Sequence, residues 1–152
     1  MNAKLIVAYK LTNTMAIAPT KKSHGDDEAY TAGFDLYVPK NIKCRVNTNS
    51  HTRIDIGVAF SIPKGYMGLV KLRSGFANRT GCVQPAGVID ANYRGNIIIP
   101  IVNPTNHIVD IKPGEGFAQM IIFPIPEIHL VEVDDLDATN RGSQGFGSTD
   151  KD

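Results

Sequence analysis

Apolar side chains in this sequence recur at every second position over long stretches, and this spacing commits much of the chain to β-structure. In NIKCRV (residues 41–46) and in RIDIGVAF (residues 53–60), every second residue is apolar. A period of two is the pattern of a strand that buries one face, and neither run has the spacing of three to four residues that marks a helix. Both segments are therefore predicted to be strands.

Four more segments are short, apolar and rich in β-branched residues. They are GYMGLVKL, GNIIIPIV, GFAQMIIF and IHLVEV, and between such runs lie IPKG, NPTN, KPGE and PIPE. Proline, glycine and asparagine favour turns through their backbone preferences. The pattern predicts an all-β fold and leaves a sandwich, a jelly roll and a barrel as alternatives.

One segment, RSGFANRTG at 73–81, departs from this rhythm and is predicted to form a helical turn or two. It combines Ser74 as a possible N-cap with Phe76 and Ala77, and Gly81 is a stop signal. No other helix is expected.

Length, charge and cysteine content fit one intracellular domain. A chain of 152 residues buries roughly 70% of the surface that it exposes when unfolded, so it needs no disulfide. Cys44 and Cys82 are far apart in sequence and are expected to be reduced thiols, as in the cytosol. No segment approaches the ~18 apolar residues of a membrane span, and MNAKLIVAYK at the N-terminus lacks a signal-peptide pattern. Sixteen Lys and Arg against fifteen Asp and Glu give a net charge of +1, which argues against stable nucleic-acid binding.

The character of the sequence changes after Val133. Residues 134–152, DDLDATNRGSQGFGSTDKD, contain one leucine, one phenylalanine and no periodicity, so they cannot form a packed core. The chain is therefore divided into a β-domain at 1–133 and a flexible C-terminal arm at 134–152. Composition alone favours a disordered tail, but Phe146 between two glycines suits a lid that closes over a planar ligand. Fully extended, the arm reaches on the order of 60 Å, enough to cross to a neighbouring subunit.

Five short segments place glycine beside polar residues: AGFDL, LRSGFA, GVIDANYRG, GEGFAQ and, in the arm, RGSQGFGST. Each alone is equally well a bulge or a turn. Together they supply carboxylates, neutral donors and arginines, namely Asp35, Asp90, Ser74, Gln119, Arg73, Arg94 and Arg141. Donors and cations bind a polyanion, carboxylates hold Mg²⁺ or water, and an aromatic ring packs on a base. The set indicates a nucleotide-phosphate site.

Other phosphate and hydrolytic chemistries fit less well. The sequence has no GxxxxGK[ST] loop and no GxSxG elbow. Its four histidines, at 24, 51, 107 and 129, lack metal-ligand spacing and are interpreted as surface or structural residues. Zinc-dependent hydrolysis is therefore disfavoured.

In their order along the chain, the five segments resemble the five motifs of the homotrimeric dUTPases, which hydrolyse dUTP to dUMP and pyrophosphate. The match runs from Ala32 to Thr149. The resemblance implies a distorted jelly-roll β fold with one short helix, three subunits about a threefold axis, and three active sites each assembled from several chains. It also implies Mg²⁺ as the cofactor, and a role in supplying dUMP for dTMP synthesis and keeping uracil out of DNA.

The resemblance assigns most of the chemistry to the third motif. Asp90 is expected to orient the water that attacks the α-phosphorus and to contact the deoxyribose 3′-hydroxyl. Tyr93 is expected to lie beneath the sugar, where its ring leaves no room for the 2′-hydroxyl of UTP. Asp35 is expected to hold Mg²⁺ through water, and Ser74 to donate to the α,β-bridging oxygen.

Further substrate contacts follow from the same resemblance. Arg73 is expected either to contact phosphate or to form an ion pair at a subunit interface, and Gln119 to donate to the phosphate chain. In the arm, Arg141, Ser148 and Thr149 are expected to engage the γ-phosphate, while Phe146 stacks on the uracil. Backbone groups of the third motif are expected to pair with the uracil edge. The remaining expected substrate-binding residues are Gly75, Gln84, Gly87, Val88, Ile89 and Gly147.

Three positions depart from the family pattern. Gly116 stands where the fourth motif usually has an arginine, whose charge often supports the subunit contact. Gln144 and Asp150 stand where the fifth motif commonly has glycine.

Two rival functions were weighed against dUTP hydrolysis. A dCTP deaminase of the same fold carries a catalytic glutamate that would align with Arg94, so its proton-shuttling carboxylate is missing here. A non-catalytic nucleotide-sensing or protein-binding trimer stays open on sequence grounds.

Overall fold

The computed structural model describes residues 4–22 and 31–143, and within these ranges the chain forms three antiparallel sheets and one short helix. The elements are β1 Ala8–Leu11, β2 Phe34–Tyr37, β3 Cys44–Val46, β4 Ser50–Ser61, β5 Tyr66–Leu72, α1 Ser74–Thr80, β6 Val88–Ile89, β7 Asn96–Asn103, β8 Val109–Ile111 and β9 Gly116–Pro124. The sheets have the strand orders β1-β4-β7, β2-β9-β5-β6 and β3-β8. Neighbours in a sheet are mostly distant in sequence, as in a distorted jelly roll. The all-β prediction is confirmed.

The sheets enclose one apolar core, and the predicted alternation is what builds it. Along β4, Ile54, Ile56 and Val58 are buried, and along β7, Ile97 and Ile99 are buried in the same way. Burying side chains of this size stabilises the fold by about 1.5–3 kcal/mol each. The core therefore fixes which face of each strand is left to build a site.

The position of helix α1 was predicted correctly, but its N-cap residue was not. Gly81 ends the helix in the left-handed region (φ 70°), as predicted. The N-cap is Arg73 rather than Ser74, and it has no side-chain capping hydrogen bond. The reason is that the Arg73 backbone amide is drawn to the Phe117 carbonyl at 2.9 Å, so the helical turn starts one residue early. Ser74 becomes the first helical residue and is exposed.

One expectation about strands was wrong. IHLVEV is not a strand, because residues 125–143 contain no strand or helix and are exposed throughout, with Leu130 91% exposed. A strand requires hydrogen-bonding neighbours, and the sheets described here give this segment none. GVIDANYRG begins with the short strand β6, in which Val88 is 63% exposed although its side chain is apolar. The division of the chain at Val133 stays a prediction.

The cysteines in the core region are consistent with reduced thiols. Cys44 and Cys82 are both free, and Cys82 is buried. Burial raises the pKa of the Cys44 thiol, which keeps it protonated at neutral pH. Among the described residues, no helix has the length and apolar content needed to cross a membrane.

Candidate active site

The first and fourth motifs meet in one row across a sheet. Asp35 on β2 stands opposite Gln119 on β9, and Gln119 stands opposite Lys71 on β5. Directly opposed residues of antiparallel strands have Cβ atoms about 4.5–5.5 Å apart. Backbone bonds between Asp35 and Thr20, at 2.7 and 3.2 Å, hold the Asp35 end of this row. A carboxylate, an amide and an ammonium therefore share one strip of surface.

Two cations of the same chain flank the Asp35 carboxylate. Arg73 Nε lies 3.3 Å from Asp35 Oδ1, and Lys22 Nζ lies 3.9 Å from Asp35 Oδ2. Asp35 is 8% exposed, and within the described part of the chain its Oδ2 accepts no hydrogen bond. Lys22 meets this oxygen only at ion-pair distance, so Oδ2 keeps its hydrogen-bonding capacity for a bound group. Within one chain Arg73 pairs with Asp35, and both roles expected for Arg73, phosphate contact and an ion pair at a subunit interface, stay predictions.

The second motif joins this cluster through Arg73. Arg73 Nη1 donates to the Gly116 carbonyl at 3.1 Å, and the Arg73 backbone amide donates to Phe117. Both bonds tie the start of α1 to β9, so Ser74 lies beside the Asp35–Gln119 row. At Gly75 a Cβ atom would meet nothing within 4 Å, which leaves the backbone open to a ligand.

The third motif forms a turn between β6 and β7 that fixes its aromatic ring. The Asp90 carbonyl accepts from the Tyr93 amide at 3.1 Å, and Tyr93 Oη donates to the Asn96 carbonyl at 2.9 Å. A Cβ atom at Gly95 would lie 2.4 Å from Tyr93 Oη, so any other residue there would displace the phenol from this position. Arg94 Nη1 donates to the Ala91 and Tyr93 carbonyls at 2.6 and 2.9 Å. Arg94 therefore stabilises the turn itself.

A cleft opens between the two strands of this turn. Strands β6 and β7 belong to different sheets, and β6 is the last strand of its sheet in the described structure. The unpaired edge of β6 thus offers backbone N–H and C=O groups. A cavity of about 170 Å³ is bounded by both strands and has Asp90 and Tyr93 in its lining. An adjoining cavity of about 110 Å³ includes Gln84 and Gly87.

Gly87 and Gln84 set the floor of the cleft. A Cβ atom at Gly87 would lie 2.1 Å from the Val70 carbonyl oxygen, so only glycine fits there. Gln84 Nε2 donates to the Val70 and Ala86 carbonyls at 3.0 and 2.6 Å, while its Oε1 is buried and, among the described residues, unpartnered. The side chain of Gln84 thus stabilises the backbone before β6, and its Oε1 can still accept a hydrogen bond.

A single chain does not bring Asp90 to Asp35. Strands β9 and β5 lie between β2 and β6, and Asp90 is displaced along the strands from the level of Asp35. With strand spacings of about 4.8 Å and a rise of about 3.3 Å per residue, the two aspartates are roughly 20 Å apart. The expected site residues therefore form two separate groups in each chain.

Of the C-terminal arm, the structure describes residues 134–143. Arg141 is exposed next to a turn in which the Gly142 amide donates to the Thr139 carbonyl at 3.1 Å. Phe146, Gly147, Ser148 and Thr149 lie outside the described residues, as do Gln144 and Asp150.

Sequence reasoning missed several members of the first group. Lys22 and Lys71 were not singled out, although they lie beside Asp35 and Gln119. The contact between Arg79 Nη2 and Glu115 Oε1, which joins the end of α1 to the start of β9, was also missed. No local pattern marks these residues, because they are brought together by contacts between segments that are far apart in sequence.

The three sheets, the cleft between β6 and β7, and the charged row around Asp35 define an all-β protein with two separate polar groups in each chain. A family model described as dUTPase matches residues 15–150. The chain belongs to the dUTPase family.

Relatives and solved structures agree with this assignment. The deoxyuridine 5′-triphosphate nucleotidohydrolase of Yarrowia lipolytica is 37% identical over 139 residues, covering 90% of this chain and 84% of the relative. That of Syntrophotalea carbinolica is 38% identical over 147 residues, covering 95% and 97%. A Staphylococcus bacteriophage 80alpha dUTPase variant with dUpNHpp superposes with a TM-score of 0.81 at 28% identity, covering 95% of this chain and 98% of that one. A phage phi11 dUTPase variant, described with a structural Mg(II) ion, has a TM-score of 0.73 at 27% identity, covering 86% and 97%.

Proposed function

We propose that this protein hydrolyses dUTP to dUMP and pyrophosphate by in-line attack of water on the α-phosphate. The observation that carries the proposal is the cleft between β6 and β7, because its lining includes both a carboxylate, Asp90, and a fixed phenol, Tyr93. The turn between β6 and β7 can then both contact the nucleoside and orient the attacking water. The reaction supplies dUMP for dTMP synthesis and keeps uracil out of DNA.

Recognition of the deoxynucleoside rests on backbone groups and on steric exclusion. In the described structure β6 pairs only with β5, so the other edge of Val88 and Ile89 would offer backbone donors and acceptors to a pyrimidine edge. Tyr93 is held by its bond to the Asn96 carbonyl, so its ring cannot swing away from a bulkier sugar. A steric clash with the 2′-hydroxyl excludes UTP more effectively than the loss of one contact would.

Asp90 is the residue we assign to the water. It is exposed at the start of the turn, and its side chain makes no hydrogen bond to the described part of the chain. A carboxylate in this state can accept a proton from water and direct the oxygen lone pair at phosphorus. Ser74 is assigned to the oxygen that leaves with pyrophosphate, where a donor stabilises developing charge.

The residues around Asp35 fit a hydrated magnesium ion. Asp35 Oδ2 is buried and accepts no hydrogen bond from described residues, so it can accept from a metal-bound water. No described group of three or more His, Cys, Asp or Glu residues could enclose a metal, which suits an ion bound mainly by phosphates and water. Bound Mg²⁺ neutralises charge on the triphosphate. Asp35 would hold it, and Gln119 and Lys71 would face the same phosphates.

We infer a homotrimer in which each site combines residues of different subunits. The roughly 20 Å between Asp90 and Asp35 within one chain supports this, because both must act on one nucleotide. Exposed apolar residues after β9, among them Ile128, Leu130 and Val131, support it further, since such a surface is normally covered by a partner. The arm, with Arg141 and Phe146 to Thr149, would complete the site. A cytoplasmic location is the corresponding proposal, or the host-cell cytoplasm if the protein is viral, with the nucleus as an alternative.

The reaction is tested by incubating the protein with dUTP and with dCTP. Pyrophosphate from dUTP is the expected result, and ammonia from dCTP would overturn the proposal. Arg94 supports the choice, because its guanidinium is bound to the carbonyls of its own turn and supplies no carboxylate. The sensor alternative predicts binding of dUTP without release of pyrophosphate, so the same assay decides between the two.

The shared site makes a complementation experiment decisive. Asp90→Asn and Ser74→Ala chains are each expected to be nearly inactive alone. Unfolded together and refolded as mixed trimers, they are expected to recover roughly a quarter of wild-type turnover, because random assortment pairs an intact hairpin with an intact Ser74 at that frequency. Each variant refolded alone is the control. Failure of the mixture to exceed these controls would show that one chain supplies both groups.

A further inference from the structure

We propose that Asp55 is a positioning residue that holds the Tyr93 ring in place through Asn96 and thereby contributes to the exclusion of UTP. This inference rests on the proposed function, in which the Tyr93 ring lies beneath the sugar. The residues that line the cleft between β6 and β7 include Tyr93 and Asn96 but not Asp55. Asp55 therefore acts on the nucleotide only through its neighbours.

A chain of hydrogen bonds joins the Asp55 carboxylate to the Tyr93 phenol. Asp55 Oδ2 accepts from Asn96 Nδ2 at 3.0 Å, and the Asn96 carbonyl accepts from Tyr93 Oη at 2.9 Å. Tyr93 is 43% exposed, so packing alone does not fix its ring. The position of the Asn96 backbone therefore sets where the phenol lies, and Asp55 restrains that backbone through the Asn96 side chain.

The Asp55 carboxylate is itself oriented by its own strand. Asp55 Oδ1 accepts from the Gly57 amide at 2.8 Å, and Gly57 has a left-handed backbone conformation (φ 66°). The Gly57 carbonyl accepts in turn from the Thr12 amide at 2.9 Å. The two carboxylate oxygens thus have separate partners, one in β4 and one in β7. Because the bond to Gly57 already restricts the side chain, less conformational entropy is lost when the carboxylate also binds Asn96.

A β-bulge lies where β4 meets the turn of the third motif. Asp55 pairs with Ile98, and an unbroken antiparallel register would therefore place Gly57 opposite Asn96. Instead Ala59 stands opposite Asn96, because the register shifts between Asp55 and Ala59. Bulges beside functional sites commonly redirect a side chain or end a pairing. Here the bulge accompanies a carboxylate that reaches across to the first residue of β7.

The rigidity of the Tyr93 ring determines how strongly it discriminates between nucleotides. A clash excludes UTP only to the extent that the ring cannot move away from the 2′-hydroxyl. Without Asp55 the Asn96 side chain loses its anchor, so displacement of the ring costs less free energy. UTP gains from that displacement, whereas dUTP does not require it. The expected effect is therefore on the ratio of the two activities.

Kinetics with both nucleotides test the proposal. In Asp55→Ala, the ratio of kcat/KM for dUTP to kcat/KM for UTP is expected to fall about tenfold, as for the loss of a hydrogen bond to a charged group. A purely structural defect lowers both values by the same factor and leaves the ratio unchanged. In a Tyr93→Phe background, which already lacks the phenol bond, Asp55→Ala should change the ratio no further. An unchanged ratio in Asp55→Ala, or an equal fall in both backgrounds, would overturn the proposal.

A second readout requires no nucleotide. The chain has five tyrosines, so ¹⁹F NMR of protein labelled with 3-fluorotyrosine gives a simple spectrum. The Tyr93 resonance is identified by its absence from Tyr93→Phe. In Asp55→Ala it should move toward the chemical shift of free 3-fluorotyrosine, while the resonances of Tyr37 and Tyr66 stay in place. A Tyr93 resonance that does not move would contradict the role assigned to Asp55.

The control is Asp110→Ala, which removes another exposed carboxylate, one bound to Arg45 on the β3–β8 sheet. It should match wild type in both measurements. If Asp55→Ala does not fold, Asn96→Ala removes the donor of the same bond without altering Asp55 or the bulge, and the same fall in the ratio is expected. If wild-type protein releases no pyrophosphate from dUTP, the proposed function fails. The ¹⁹F measurement then still tests the connection from Asp55 to Tyr93.

Discussion

Replacement of Asp90 by asparagine is expected to lower dUTP turnover by at least ~10²-fold and to leave substrate binding intact. The carboxylate side chain forms no hydrogen bond with the described residues, and it is the Asp90 backbone carbonyl that accepts from Tyr93. Asparagine therefore preserves the turn and the cleft. What it loses is the ability to take a proton from water, which affects the transition state alone.

Two measurements separate these effects. Pyrophosphate release gives kcat, and calorimetry with dUpNHpp gives the dissociation constant of the substrate analogue. Asp110→Asn is the matched control, since Asp110 is an exposed carboxylate whose pKa is lowered by its hydrogen bond to Arg45, away from the cleft. It should leave kcat at the wild-type value. Near-wild-type turnover in Asp90→Asn would remove Asp90 from the chemistry.

The sequence predicted local elements well because local rules determine them. Alternation at Ile54, Ile56 and Val58 required a strand with one buried face, and β4 has that face. The helix ends at Gly81 as predicted, since the left-handed conformation there favours glycine. The order of the glycine-rich segments indicated the dUTPase family, which the family model confirms.

What the sequence did not predict depends on contacts between distant segments. The pairing of Asp35 with Gln119 follows from the register of β2 on β9, and no local pattern encodes that register. The absence of an arginine at 116 was visible, but the hydrogen bond from Arg73 to the Gly116 carbonyl was not. The N-cap of α1 lies one residue before the predicted one for the same reason, because the carbonyl of the distant residue Phe117 accepts a hydrogen bond from the Arg73 amide.

Two apolar segments are more exposed than their composition suggests, and the cause is the same for both. IHLVEV and the start of GVIDANYRG have the composition of buried strands, yet Leu130 and Val88 are largely exposed. Periodicity indicates which side chains need to be covered and not which chain or ligand covers them. For Val88 the proposed cover is the nucleotide, and for residues after β9 it is a neighbouring subunit.

Asn103→Ala is expected to destabilise the fold by about 3–5 kcal/mol, because it removes a fully buried hydrogen-bonding centre. Asn103 is 0% exposed. Its Nδ2 lies 3.1, 3.1 and 2.8 Å from the carbonyl oxygens of Val46, Asn47 and His107. Its Oδ1 accepts from the Thr105 amide at 3.1 Å and from the Thr105 hydroxyl at 2.7 Å. Alanine would remove the partner of all these groups at a side chain that is itself fully buried.

Urea unfolding at a fixed protein concentration measures this loss, since subunit association contributes to the stability of an oligomer. Asn106→Ala is the matched control: Asn106 is exposed in the same loop, and it should change the free energy of unfolding by less than ~0.5 kcal/mol. A loss below ~1 kcal/mol for Asn103→Ala would mean that water or a rearranged loop satisfies the freed groups. Because Asn103 ends β7 and the cleft lies at its start, the folded fraction of Asn103→Ala should keep wild-type kcat. Changes at the end of β7 would then affect the free energy of unfolding without affecting kcat.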